Sequence, residues 1–267
     1  MNPLRLILHA GFHKTGTSSI QATLRKNRRA LATEFRIFLR DDILPMTETA
    51  RGFSIAQDPA ELGLFSYEIA EFCQSLDQSD PRPIVISAED LCGHMPGRHG
   101  ITRYEAAPKL MATFAEIAAL ALPQTVEILF HFTTRAPAAW VRSCHAQHLR
   151  ATRMADDLAT YERAFLPHAD LDGIAAQIRA AIAPHTVVTA ALEDAATRRL
   201  GPASALFDLM LPSASLRRSL AAMPAQNTAL PIDIYEQFLH LNQSNIDDTA
   251  LKMAKRTLLS NARNSEQ

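Results

Sequence analysis

Residues 4–24, LRLILHAGFHKTGTSSIQATL, join an apolar run to a loop with two glycines and then to the start of an amphipathic helix. Leu4, Leu6, Ile7 and Leu8 form the near-continuous hydrophobic segment expected of a strand buried on both faces of a parallel sheet. Gly11 and Gly16 bracket the turn that must follow, where backbone amides can point inward without hindrance from a Cβ. Thr17, Ser18 and Ser19 add hydroxyls at the start of the helix, where free N–H groups and the helix dipole favour an anion. With Lys14 in the same loop, the stretch reads as a phosphate cradle.

The order of residues distinguishes this loop from that of nucleoside triphosphatases, which carry lysine directly after the second glycine. Thr17 holds that place here, and the lysine lies two residues before Gly16 in His13-Lys14-Thr15-Gly16-Thr17-Ser18. This order resembles the 5′-phosphosulfate loop of the sulfotransferase family, and GFHKTGTSSIQ is similar to the version carried by many bacterial members. A second element, Thr133-Thr134-Arg135-Ala136-Pro137 followed by Ser143, resembles that family's 3′-phosphate-binding element. The physical case for it is separate: a guanidinium fork and a hydroxyl flanking a strand-to-helix turn can hold a phosphate dianion. The glycine-rich C-terminal RKGxxG segment of cytosolic eukaryotic sulfotransferases is absent, so no adenine contact is assigned to the C-terminal half. Ala225-Gln226-Asn227-Thr228 looks like the short Asn-Ser/Thr element of bacterial relatives.

The resemblance implies a P-loop-like parallel α/β sheet with helices on both faces, using 3′-phosphoadenosine-5′-phosphosulfate as the sulfuryl donor to a hydroxyl or amine acceptor, a glycan or a small molecule. Lys14 is then the residue beside the leaving phosphate. Thr15, Gly16, Thr17, Ser18 and Ser19 hold the 5′-phosphate, and Arg135 with Ser143 the 3′-phosphate. Glu89, just after the apolar strand Ile84-Val85-Ile86, is the first choice of general base, with His13, Glu48 and Asp41 as alternatives. A P-loop kinase or nucleoside triphosphatase, and a non-catalytic nucleotide-binding relative, are the competing readings.

The 267 residues suffice for one substantial core, so the chain reads as one domain, mostly helical beyond about residue 151. A formal charge of −1 gives no field to draw nucleic acid or an anionic membrane. No apolar run reaches the ~20 residues of a membrane span, and the first strand follows no signal-like segment, so a cytoplasmic location is expected. Cys73, Cys92 and Cys144 are odd in number and widely spaced, which implies neither a disulfide framework nor a zinc cluster. His131, His145 and His148 have no acidic or cysteine ligand clustered with them, and no metal is assigned.

The remaining pattern predicts a helix from Leu62 to Leu76, another over Ala106–Leu122, a strand over Val126–Phe132 and a last strand at Thr186–Thr189. Ile174, Ile178 and Ile182 mark a helix, as do Leu200–Met210 and Ile232–Leu241, while Asn261–Gln267 reads as a fraying end. Residues 40–59, with two prolines and several acids, read as a long connection over the active-site side of the sheet. The loop Gly93–Gly100, GHMPGRHG, reads as a surface turn or a substrate lid.

Overall fold

The computed structural model describes residues 3–122, 125–223 and 231–265. Their contacts divide the chain, read above as one domain, into two compact units: residues 1–136 with 170–226, and residues 137–169 with 227–267. The element at Ala225–Thr228 lies outside the described residues.

The first unit is a five-stranded, all-parallel sheet in the order β2-β3-β1-β4-β5, made of β1 (Leu4–His9), β2 (Arg36–Leu39), β3 (Ile84–Ser87), β4 (Val126–Thr134) and β5 (Thr186–Ala191). The apolar run at Leu4 is the central strand, and Leu6, Ile7 and Leu8 have no exposed surface. Side chains alternate across the sheet. Ile7, Ile37, Val85 and Leu129 pack against Ile20 and Leu24 of α1 (Thr17–Lys26), Leu31 of α2 (Arg28–Leu31) and, further along the chain, Leu206 and Phe207 of one helix (Ala203–Met210) and Leu216 of another (Ala214–Ser219). On the opposite face Phe38 meets Phe72 of the helix Pro59–Ser75 at 4.9 Å between ring centres, and Phe130 meets Phe114 of the helix Ala107–Ala121 at 6.4 Å. Each apolar face of the sheet is thus covered by helices, the arrangement a parallel sheet requires.

Two expectations change. Arg36–Leu39 is a strand that the sequence reading did not find, and residues 40–59 are not a long connection. A short 3₁₀ turn, Arg40–Ile43, leads directly into α3 (Leu44–Ala56), and α4 (Pro59–Ser75) follows with Asp58 accepting from the Ala60 amide at 2.8 Å. Both helices carry proline in the first turn, where a missing N–H costs nothing, so these prolines mark starts rather than breaks. Met46, Ala50 and Phe53 supply the buried stripe of α3, but Thr47 and Ser54 are buried on the same side and blur its period. The predicted helix over Ala106–Leu122 is α5 (Ala107–Ala121), and β4 runs two residues further than expected, to Thr134.

In the second unit α6 (Pro137–Ala151) packs with α7 (Leu158–Phe165), and after α8 (Leu171–Ala181), α9 (Ala203–Met210) and α10 (Ala214–Ser219) of the first unit come α11 (Ile232–Gln243) and α12 (Asp248–Ser265). The segment expected to fray is therefore largely the end of α12. Leu149, Ile234 and Phe238 form the apolar centre of this unit. The final carbonyls of α6 need partners, as at any helix end. Lys255 of α12 donates to Leu149 O at 2.6 Å and Thr152 O at 2.7 Å, and Asn242 of α11 donates to Leu149 O at 3.1 Å and Met154 O at 2.7 Å. Burial, with Arg153 adding to it, lowers the Lys255 ammonium to about 8.

Lys255→Met preserves the aliphatic stem and removes both charge-assisted bonds, so it should cost about 2 kcal/mol. Trp140, the single tryptophan, is buried in α6 and reports on this unit. Urea unfolding followed by its fluorescence should show the loss; an unchanged midpoint would mean that apolar contacts alone hold α12.

Candidate functional site

In the strand order, the connection after β1 runs toward β3 and β2 while that after β4 runs toward β5, so a crevice opens between β1 and β4 at their carboxyl ends. The loop 10–16 fills the β1 side of it. Gly11, Lys14 and Gly16 have φ of 58°, 67° and 94°, and these left-handed residues fold the loop back over the sheet. Neither glycine has room for a side chain: a Cβ would stand 2.7 Å from Thr17 Cγ2 at Gly11 and 2.8 Å from Leu192 Cδ1 at Gly16. Gly16 caps α1, its carbonyl accepting from Ser19 N at 3.0 Å and Ile20 N at 3.1 Å, whereas the amides of Thr17 and Ser18 have no acceptor among the described residues. An open helix start results, with two N–H groups for an anion.

The predicted loop residues divide by position. Thr15 is fully buried, and its hydroxyl bridges Phe12 O and Thr133 Oγ1, each at 2.6 Å, so its side chain is committed to the loop's own structure. Thr17 is also buried, while Lys14 and Ser19 are half-buried and Ser18 is exposed. Arg135, the first residue beyond β4, donates from Nη1 to Lys14 O at 3.1 Å, so the two predicted phosphate elements meet although 121 residues separate them. Ser143 stands half-buried on α6 in the second unit.

Glu89 opens a 3₁₀ turn, Glu89–Cys92, immediately after β3, the strand on the other side of β1. Half-buried, it accepts from Gln21 Nε2, which ties the carboxylate to α1. The alternatives to Glu89 are differently engaged. Glu48 is exposed and paired with Arg40 at 2.9 Å and Arg51 at 3.4 Å, and Asp41 is exposed 3.8 Å from Arg25. His13 has both ring nitrogens engaged, Nδ1 with Tyr104 Oη at 2.9 Å and Nε2 with Asp90 Oδ1 at 3.2 Å.

Asp90 and Tyr104, which the sequence reading did not single out, organise the outer side of the loop. Asp90 accepts from Arg40 Nε at 2.5 Å and lies 3.9 Å from Arg51 Nε in addition to its contact with His13. Burial works to raise this carboxyl, but His13, Arg40 and Arg51 overcome it and hold it well below the ordinary carboxylate range. The Tyr104 hydroxyl accepts from the His13 backbone N–H at 2.9 Å. Neither residue has a local spacing signature, because Arg40, Asp90, Tyr104 and His13 meet only through the sheet order.

Beneath the loop, His9 of β1 stands in register with Ser87 of β3 and His131 of β4. His9 Nδ1 bonds Ser87 Oγ at 2.8 Å, and burial lowers both histidines, His131 to about 4, so both rings are neutral. Lys14, in the loop, and Arg135, bonded to its carbonyl, bring two cationic residues to the carboxyl ends of β1 and β4. His145 and His148 serve the second unit, bonded to Asp156 O and Tyr161 Oη, each at 2.9 Å. Among the described residues, no group of three or more His, Cys, Asp or Glu side chains is arranged to hold a metal ion, and no helix is long and apolar enough to cross a membrane.

Because the folded Asp90 carboxyl lies below the unfolded value near 3.9, its stabilisation is complete above about pH 4 and is lost as pH falls toward the folded value. Asp90→Asn should cost roughly 2–3 kcal/mol at pH 7, and the gap from wild type should narrow at about pH 3. Urea unfolding at both pH values measures this, and a gap independent of pH would show that Asp90 acts by shape alone.

No family model matches the chain, and no curated protein matches its sequence.

Proposed function

We propose that this protein transfers a sulfuryl group from 3′-phosphoadenosine-5′-phosphosulfate to a hydroxyl or amine acceptor, on a sheet of P-loop-like type. The observation that carries the reading is the meeting of the HKTGTSS loop, with the open amides of Thr17 and Ser18, and Arg135 from the next strand end. Two cationic side chains and a helix start at one crevice suit a ligand with phosphates at two positions. The resemblance in residue order names that ligand, and Thr17, buried where a triphosphatase has its lysine, supports it over a kinase.

Within this reading Lys14 and the amides of Thr17 and Ser18 face the 5′-phosphate, where negative charge grows as the bond between sulfur and the bridging oxygen breaks. Glu89 accepts the proton of the acceptor hydroxyl while the acceptor oxygen forms the new bond to sulfur. The products are the sulfated acceptor, adenosine 3′,5′-bisphosphate and a protonated Glu89, which returns its proton to solvent. Arg135 holds the loop through the Lys14 carbonyl and directs the rest of its guanidinium to the 3′-phosphate.

The direct test is incubation with ³⁵S-labelled donor and a panel of glycans, phenols, lipids and amines, which should yield a sulfated product by mass spectrometry. Glu89→Gln should lower kcat ~10²-fold or more, with bisphosphate affinity near wild type. Normal turnover in that variant would remove Glu89 from the mechanism. Arg135→Ala should weaken adenosine 3′,5′-bisphosphate by about 1.5–3 kcal/mol and adenosine 5′-phosphate by less. Equal losses would confine Arg135 to supporting the loop.

A further inference from the structure

A cavity of about 130 Å³ lies beside this site, between the C-terminal turn of α3 and the segment from Cys92 to Ala106. Two of its walls belong to the machinery described above. Cys92 ends the 3₁₀ turn that Glu89 begins, and Tyr104 bonds His13, the residue before Lys14. The space suits a single ring of sugar size or several waters.

The chemistry of the lining selects a class of occupant. His94 lies on the wall: its backbone N–H donates to Ser54 Oγ at 2.7 Å, and its ring stands edge-on to His99 at 4.7 Å between centres. Nδ1 donates to Met95 O at 3.2 Å, which leaves Nε2 of the neutral ring as a hydrogen-bond acceptor with no partner among the described residues. Burial and the charges of Arg51, His99 and Arg98 keep His94 below the ordinary histidine value against the pull of that carbonyl. Thr102 and Gln57 add an exposed hydroxyl and amide. The ionic group on the wall is internally paired, Arg103 with Glu105 at 2.7 Å, and Arg51 behind it is paired with Glu48. Neutral acceptors and donors beside matched charges fit an uncharged, hydroxyl-rich molecule better than an anion, which would have to break the Arg103–Glu105 pair.

We propose that this cavity is the acceptor subsite and that it takes a neutral polyhydroxyl acceptor of about one sugar ring, with His94 Nε2 receiving one of its hydroxyls. The assignment rests on the sulfuryl-transfer reading and narrows its acceptor to a sugar or cyclitol unit.

The experiment uses the full-length protein saturated with adenosine 3′,5′-bisphosphate, titrated with glucose, galactose, myo-inositol and glucuronate. Histidine Cε1–H resonances are followed by NMR, with His94 assigned from His94→Gln. At least one neutral probe should shift the His94 resonance in a saturable way, and more strongly than glucuronate does. Thr102→Trp fills the mouth from an exposed position and should weaken that binding about tenfold or more while bisphosphate affinity is unchanged; Thr102→Ser should bind as wild type. A His94 resonance that no neutral probe moves, a preference for glucuronate, or indifference to Thr102→Trp would overturn the assignment while leaving bisphosphate binding, and the transfer reading, in place. Sugar binding in a protein that fails to bind the bisphosphate would overturn the acceptor role along with the transfer reading.

Discussion

The left-handed turns at Gly11 and Gly16 are the constraint on which the rest of the site depends. Each places backbone where a Cβ would strike a neighbour, Thr17 in one case and Leu192 in the other. Because the loop doubles back so closely, only residues 10–16 separate α1 from the central strand, and the amides of Thr17 and Ser18 have no acceptor among the described residues. The buried Thr15 hydroxyl then fastens the loop to Thr133 of β4, and Arg135 fastens it again from outside through the Lys14 carbonyl. A loop pinned at both levels is preorganised, and in the proposed sulfuryl transfer that preorganisation is what would allow its fixed N–H dipoles to favour developing charge.

The two adjacent acids after β3 face different partners. Asp90 is turned inward to Arg40 and His13 and is held ionised, which suits it to fixing the loop rather than to taking a proton. Glu89 faces α1, where Gln21 is its partner and part of the group stays open. The same turn continues into the wall of the cavity at Cys92, so the proposed base, the loop anchor and the proposed acceptor site share one short segment.

The parts of this arrangement that were legible in the sequence are those encoded over short spans. The apolar strands β1, β3 and β4 and the glycine turn are such local patterns, and each lies over the residues its pattern marks. What stayed hidden is of two kinds. The segment 40–59 disguises a helix because its prolines occupy first-turn positions and its buried face includes Thr47 and Ser54. The contacts of Asp90 with Arg40, and of Tyr104 with His13, link residues 50 and 91 positions apart, and only the strand order 2-3-1-4-5 brings them together. No spacing rule within one element can encode such a meeting.

The central claim is that the crevice is built for phosphates at two positions on one nucleoside rather than for a metal-chelated triphosphate. Calorimetry with adenosine 3′,5′-bisphosphate and with magnesium-ATP tests it most directly. The account predicts that the bisphosphate binds roughly tenfold or more tightly, a difference of about 1.4 kcal/mol or greater, and that added salt weakens it. Equal or tighter binding of magnesium-ATP would contradict it.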